Sequence, residues 1–127
     1  MTGTFTSECS LAPGPSPEKF YVANRLGSAD PPQEGTVAVF DVDKDDGTLR
    51  WVDMAPVGWH PRHFKIDPSN KWMLVSAVHD DAVGVYQLDE RGVPQRTGVP
   101  CVYSYHEETA DKDVSFPAED RKRVLIC

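Results

Sequence analysis

Apolar and polar positions alternate along most of this chain in short runs that are rich in β-branched and aromatic residues. Gly, Pro, Asn and Asp separate these runs, as is typical of strands joined by turns. The runs predicted to be strands are 19–25, 36–43, 48–54, 62–67, 72–78 and 82–89. Since no longer window carries a convincing helical stripe, the pattern predicts an all-β fold.

The residues between the runs favour antiparallel hairpins. Asp46 and Gly47 lie between two predicted strands, where glycine can adopt the positive φ that a tight turn requires. The segments 67–71 and 89–92 lie between later strands and are predicted to be turns as well. The longer segment 26–35 contains two consecutive prolines, and we expect it to be an extended loop between two paired strands.

An internal repeat organises these strands. Residues 20–23 match residues 73–76 at a shift of 53, and "TVAVFDVD" (36–43) matches "AVGVYQLD" (82–89) at a shift of 46. The long loop after Arg25 accounts for the difference between the two shifts. The chain therefore contains one duplicated unit of about fifty residues with four strands.

Four antiparallel strands at this period are typical of a β-propeller blade, whose first strand lines a central channel. The sequence thus predicts a partial β-propeller of about two four-stranded antiparallel blades, residues 5–54 and 55–104, followed by a flexible tail, residues 105–127. The repeat places the polar segments 7–9 and 61–63 at the start of each blade, on the channel wall.

Composition narrows the possible partners. The chain has 127 residues, of which 39% are hydrophobic, and a formal net charge of −7, which argues against nucleic acid and anionic membranes as partners. Cys9, Cys101 and Cys127 have neither the number nor the spacing of a disulfide framework or a zinc site, so no metal and no cofactor is expected. With no leader-like or membrane-length apolar stretch, we expect a cytoplasmic protein.

Several segments, in this order, resemble a known family. They are "KFYVANR" (19–25), "GTVAVFDVD" (35–43), "HPRHFKIDPSNKWMLVS" (60–76), "AVGVYQLD" (82–89) and "VPCV" (99–102). Together they resemble the C-terminal part of the lactonase family of seven-bladed β-propellers. That family includes the bacterial type of 6-phosphogluconolactonase and the fungal 3-carboxy-cis,cis-muconate cyclases.

This resemblance implies a polar channel that binds an anionic small molecule, either a sugar lactone or a polycarboxylate. Arginine pairs with two oxygens of a phosphate or carboxylate at once, which makes Arg25 and Arg62 the candidate clamps. Hydrolysis also needs a base and a donor to the developing oxyanion, and cyclisation needs a proton donor. Glu8 and His63 are the candidates for these roles beside Arg62, and Asn24 and His60 are further candidates for substrate binding.

Each candidate also has a purely structural explanation. Arg25 and Arg62 can be ordinary edge residues, and Asn24 can bond to its own loop backbone. Arg62 and His63 alternate along a strand, so we expect only one of them, Arg62, to face the channel, with His63 as its structural partner. Glu8 fits an ordinary exposed glutamate, and His60, before a proline, fits a surface turn. The tryptophans are expected to fill the space between blades; they are Trp51, Trp59 and Trp72.

Length separates this chain from a complete propeller. Seven blades require about 350 residues, so most of the channel wall is missing and the ring cannot close within one molecule. The chain either self-associates through its unpaired blade faces or is a truncated form of a longer protein. Two functions therefore remain: a lactonase-family enzyme or part of one, and a non-catalytic β-repeat interaction module.

Overall fold

Two antiparallel sheets make up the fold. The computed structural model describes residues 4–12, 18–26, 33–78, 82–104 and 124–126. The first sheet contains, in spatial and chain order, β1 (Thr4–Ala12), β2 (Glu18–Leu26), β3 (Thr36–Val42) and β4 (Leu49–Pro56). The second sheet contains, likewise in order, β5 (Pro61–Ile66), β6 (Trp72–Ala77), β7 (Ala82–Leu88), β8 (Pro94–Ser104) and β9 (Val124–Ile126).

The predicted all-β class and the two four-stranded antiparallel units are confirmed. The described residues contain no α-helix, and therefore none long and apolar enough to cross a bilayer. Strand β9 pairs with β8 and extends the second sheet by one strand. The rest of the predicted flexible tail, 105–127, lies outside the described residues, and the limits of the two blades stay a prediction.

The predicted turns are confirmed, and aspartates order them. Gly47 and Gly92 adopt φ values of 73° and 78° in the β3–β4 and β7–β8 hairpins. Asp89 Oδ1 accepts the backbone N–H groups of Arg91 and Val93 at 2.9 and 2.8 Å. Such side-chain acceptors satisfy turn N–H groups that have no strand partner.

Asp67 orders the β5–β6 turn in the same way. Its carboxylate accepts the backbone N–H groups of Ser69, Lys71 and Trp72 at 3.0, 2.9 and 2.8 Å, and also the Ser69 hydroxyl. The Ser69 hydroxyl bond, together with the backbone bonds, lowers the pKa of Asp67 to about 2. The turn is therefore stabilised by the ionised carboxylate.

A single apolar core lies between the two sheets. Its buried members are Ala12, Tyr21, Ala23, Val37, Val39, Ala55, Val57, Phe64, Met73, Val75, Tyr86, Leu88 and Val93. Tyr21 spans the interface: its ring packs edge-on against Phe64 at 6.4 Å, and its hydroxyl donates to the carbonyl oxygen of Gly92 at 2.9 Å. Burial, with the nearby Asp89 and Asp41 carboxylates, raises the pKa of Tyr21 to about 12.

The tryptophans do not fill the space between the two sheets, contrary to the expectation. Trp51, Trp59 and Trp72 are 56%, 36% and 41% exposed. Trp51 pairs with Phe40 and Trp72 with Gln87, at strand positions that alternate with the core residues. Within the part of the chain that the structure describes, each sheet packs against one other sheet, so the side chains on its opposite face are more exposed.

Candidate functional site

Arg62 and His63 lie at the start of β5, where the strand is irregular. The register of β5 against β6 shifts between Pro61 and His63, so Arg62 is the extra residue of a β-bulge. Both side chains are exposed. The bulge interrupts the strict alternation on which their expected opposite orientations rested, and it presents two consecutive polar side chains at one end of the strand.

Glu8 reaches this segment from β1. Its Oε1 atom lies 2.9 Å from Nδ1 of His63, and its Oε2 atom accepts the backbone N–H of Phe64 at 2.6 Å. The Glu8 side chain is 24% exposed, against 66% for His63. Glu8 is therefore not an ordinary exposed glutamate, since its carboxylate links the first strand of one sheet to the first strand of the next.

The positions of Glu8 and His63 are equivalent in the two repeats. Glu8 pairs with Ala23 in β2 and His63 pairs with Ser76 in β6, and Ala23 and Ser76 are matched by the 53-residue shift. The register of β1 also shifts just before Glu8, at Ser7, where β5 has its bulge. The sequence repeat thus brings two equivalent inner-strand residues, one acidic and one basic, into contact.

Arg25, near the end of β2, and His60, in the connection before β5, form a second long-range contact. Arg25 Nη1 lies 3.4 Å from His60 Nε2, and the Arg25 Nε atom is buried without a hydrogen-bond partner among the described residues. His60 adopts a positive φ of 58°, a conformation that few non-glycine residues take. A buried guanidinium nitrogen without an acceptor is uncommon and can be satisfied by an anionic ligand.

Asn24 does not join the Arg25–His60 contact. It pairs with Thr36 on β3 and alternates with Arg25 along β2, so the two side chains leave opposite faces of the sheet. Its Nδ2 atom lies 3.5 Å from the carbonyl oxygen of Val22, a long local contact. A bond from Asn24 to the backbone nearby was the structural alternative to substrate binding, and this contact is of that kind.

Gly35, which the sequence did not single out, holds the connection from β4 to β5 in place. Its N–H donates to the carbonyl of Gly58 at 2.8 Å, and its carbonyl accepts the N–H of Val57 at 3.0 Å. A Cβ atom at this position would lie 2.2 Å from Cδ of Pro61. Only glycine fits this close approach, and the isolated glycine directly before a predicted strand was the available indication.

A cavity of about 460 Å³ lies beside this connection and was not expected from the sequence. It is lined by the residues after β4, by the start of β7 and by β8, including Trp59, Tyr86 and Thr97. The ion pair between Arg96 and Glu34 lies at its wall.

The groups at the start of β5 could bind an anion, and they include one carboxylate–imidazole pair. Each oxygen of Glu8 already accepts one bond, which suits positioning better than proton abstraction by the carboxylate itself. Within the described residues no group of three or more His, Cys, Asp or Glu side chains is arranged to hold a metal ion. The substrate-binding and catalytic roles of the six predicted site residues stay predictions.

Comparison of the sequence with known proteins identifies a matching family. The sequence profile of the family described as "Lactonase, 7-bladed beta-propeller" matches residues 7–105. A 6-phosphogluconolactonase of Formosa agariphila is 33% identical over 72 residues, which cover 56% of this chain and 19% of that protein. A 6-phosphogluconolactonase of Serratia proteamaculans is 29% identical over 76 residues, which cover 60% of this chain and 21% of that protein.

Solved structures agree with these sequence matches. A candidate 6-phosphogluconolactonase of Bacteroides uniformis superposes with a TM-score of 0.65 at 31% identity, covering 76% of this chain and 26% of the other. A candidate 6-phosphogluconolactonase of Bacteroides fragilis gives a TM-score of 0.63 at 28% identity, with coverages of 75% and 25%. The chain thus spans about a fifth of the length of the curated relatives and about a quarter of the solved ones.

Proposed function

Because the chain belongs to the lactonase family of seven-bladed β-propellers, we propose that it supplies two adjacent blades of a site that hydrolyses a phosphorylated sugar lactone. The names of the relatives support a substrate of the 6-phosphogluconolactone type. They favour hydrolysis over the cyclisation of a carboxymuconate, and family membership favours an enzyme over a non-catalytic interaction module. The remaining wall of the channel lies outside these two sheets.

The Glu8–His63 pair carries this proposal. With Oε1 of Glu8 at 2.9 Å from Nδ1, the imidazole proton is held on Nδ1, and Nε2 is left as an acceptor. His63 is the more exposed partner, so Nε2 can remove a proton from water as the water attacks the lactone carbonyl. His63 is then the general base and Glu8 the residue that positions it.

Two arginines balance the negative charge of the substrate in this proposal. Arg25 has a buried Nε without a partner among the described residues, which suits an anionic oxygen that enters beside His60. Arg62, the extra residue of the β5 bulge, is exposed next to His63. In this proposal its guanidinium stabilises the carbonyl oxygen as it gains charge. A phosphate is the expected ligand of Arg25, and a polycarboxylate is the second possibility.

His60 and Asn24 have lesser roles in the proposed site. His60 orients Arg25 through the 3.4 Å contact, while Asn24, on the opposite face of β2, binds substrate only from the side away from His60. A cytoplasmic location also belongs to this proposal, because phosphorylated sugars are held in that compartment by their charge.

The product 6-phosphogluconate, which does not hydrolyse further, gives the direct test. We expect it to shift the backbone amide resonances of Arg62, His63 and Phe64, and we expect Arg25→Gln to weaken the binding at least tenfold, which corresponds to about 1.4 kcal/mol. Arg50→Gln, at an exposed position of β4, is the matched control and should leave binding unchanged.

Turnover is measured on the same samples against spontaneous lactone hydrolysis. Hydrolysis above the spontaneous rate should disappear in His63→Ala while product binding remains. A folded chain whose β5 amides do not respond to saturating 6-phosphogluconate would contradict the proposal. So would turnover that is unaffected by His63→Ala.

A further inference from the structure

The face of the first sheet that points away from the second sheet is apolar and exposed. We call it outer face 1; its residues are Cys9, Leu11, Phe20, Val22, Ala38, Phe40, Trp51 and Met54. Ala38 is buried beneath its neighbours, whereas the others are partly or fully exposed. Leu11, Phe20, Phe40 and Trp51 lie in register across all four strands, with ring centroids of the aromatic neighbours 6.4 and 5.4 Å apart. Leu11 is 57% and Trp51 56% exposed, so an aromatic row lies open on this face.

The repeat identifies the kind of surface that such a face contacts. Phe20 and Val22 match Met73 and Val75 at the 53-residue shift, and Phe40 matches Tyr86 at the 46-residue shift. Met73, Val75 and Tyr86 form the face of the second sheet that is buried against the first. Outer face 1 is therefore the counterpart of a surface that, in this same chain, packs against a sheet.

The complementary surface is also present in the chain. The buried face of the first sheet contains Tyr21, Ala23, Val37 and Val39. Their matches in the second sheet are Leu74, Ser76, Val83 and Val85, which are in register on the opposite face of that sheet. We call this outer face 2. Val83 is itself buried and lines the cavity, so the exposed part of this face lies around Leu74. Leu74 is 39% exposed there, and Trp72 lies beside it on the same strand face.

We propose that outer face 1 of one molecule binds outer face 2 of a second copy, in the arrangement that the two sheets of one chain already adopt. The two faces differ, so the contact is heterologous and each molecule keeps one further face for the next copy. Burial of apolar area stabilises the contact by roughly 25 cal/mol per Å² before the costs of association. The net charge of −7 on each copy opposes the contact, so added salt strengthens it.

Complementation between two variants tests this proposal. Trp51→Asp places a charge on outer face 1, and Leu74→Asp places one on outer face 2. We expect the wild-type chain to form oligomers that grow with concentration, each variant alone to be monomeric, and an equimolar mixture of the two to form a heterodimer. Gln33→Asp, at an exposed position outside both faces, is the control and should behave as the wild type. Mass is measured by light scattering during gel filtration.

The other outcomes decide against the proposal. If Leu74→Asp still self-associates while Trp51→Asp does not, outer face 1 pairs with itself. A wild-type chain that is monomeric at high concentration and salt would show that the faces do not bind copies of this chain at all. Leu11→Asp, a second change on outer face 1 at an exposed position, replaces Trp51→Asp if circular dichroism shows that the latter is unfolded.

Discussion

Glu8 and His63 occupy equivalent positions in the two repeats and are bonded directly to each other, with 2.9 Å between Oε1 and Nδ1. The same carboxylate accepts the N–H of Phe64, the residue after His63. One acidic side chain from β1 thus bonds to both the imidazole of His63 and the backbone N–H of Phe64, at the free edge of β5. The contact between the first strands of the two sheets depends on this residue.

Glu8→Gln keeps the shape of the side chain but loses the charge and one acceptor oxygen. We expect a loss of about 1.5–3 kcal/mol in the free energy of unfolding, as for hydrogen bonds to charged groups, and faster hydrogen exchange at the Phe64 amide. Urea unfolding and exchange measured by NMR check the two effects. Glu34→Gln removes one member of the ion pair with Arg96 and should cost less than about 1 kcal/mol. Unchanged exchange at Phe64 would contradict the role given to Glu8.

Gly35→Ala should destabilise the fold and displace the connection from β4 to β5, which contains His60 and leads into Arg62. The added Cβ would lie 2.2 Å from Cδ of Pro61 and 2.6 Å from the carbonyl oxygen of Asn24, so atoms must move. Overpacking of this kind costs about 1–3 kcal/mol. Urea midpoints and the amide resonance of His60 measure the change. Gln33→Ala, two residues away at an exposed position, is the control, and equal behaviour of both variants would disprove the steric argument.

The stability of the fold should fall as pH rises above 10 because of Tyr21. Its pKa is about 12 in the folded chain against 10.0 for an unburied tyrosine. The unfolded chain therefore loses the phenol proton first, and the stabilisation, complete below pH 10, is lost as pH rises towards 12. By pH 11 the loss from this group is about 1.4 kcal/mol. Tyr21→Phe should lose less stability between pH 9 and 11 in urea titrations, and an equal loss would contradict this.

Asp67 should contribute to unfolding in acid. Its pKa is about 2 in the folded chain and near 3.8 in the unfolded one, so its contribution is complete above pH 4 and is lost as pH falls towards 2. Asp67→Asn should be less stable than the wild type at pH 6 and lose less further stability between pH 4 and 2. Glu90→Gln, in another turn, is the matched control. Thermal unfolding of the wild type and of both variants at each pH measures these changes. If wild type and Asp67→Asn lose stability in parallel as pH falls, the predicted contribution of Asp67 is excluded.

The sequence predicted the strands and turns because their causes are local. Alternation with a period of two defines β2 to β7, and the turn segments 46–47, 67–71 and 89–92, each beginning with Asp, define the hairpins. Glu8–His63 and Arg25–His60, by contrast, join residues far apart in the chain. The Glu8–His63 contact also lies beside two bulges that alternation does not reveal. The expected burial of Trp51 and Trp72 failed for a related reason, since it assumed a neighbouring sheet on both faces.

Two sheets in each chain impose a parity on any assembly of copies. If whole molecules add through their outer faces, every closed ring contains an even number of sheets, whereas the family ring has seven. Such a ring would have a narrower or wider channel than the family ring, since the diameter follows the number of blades. The spacing of Arg25, Arg62 and His63 across the channel would change with it. A seven-sheet channel requires an odd number of sheets from outside this repeat.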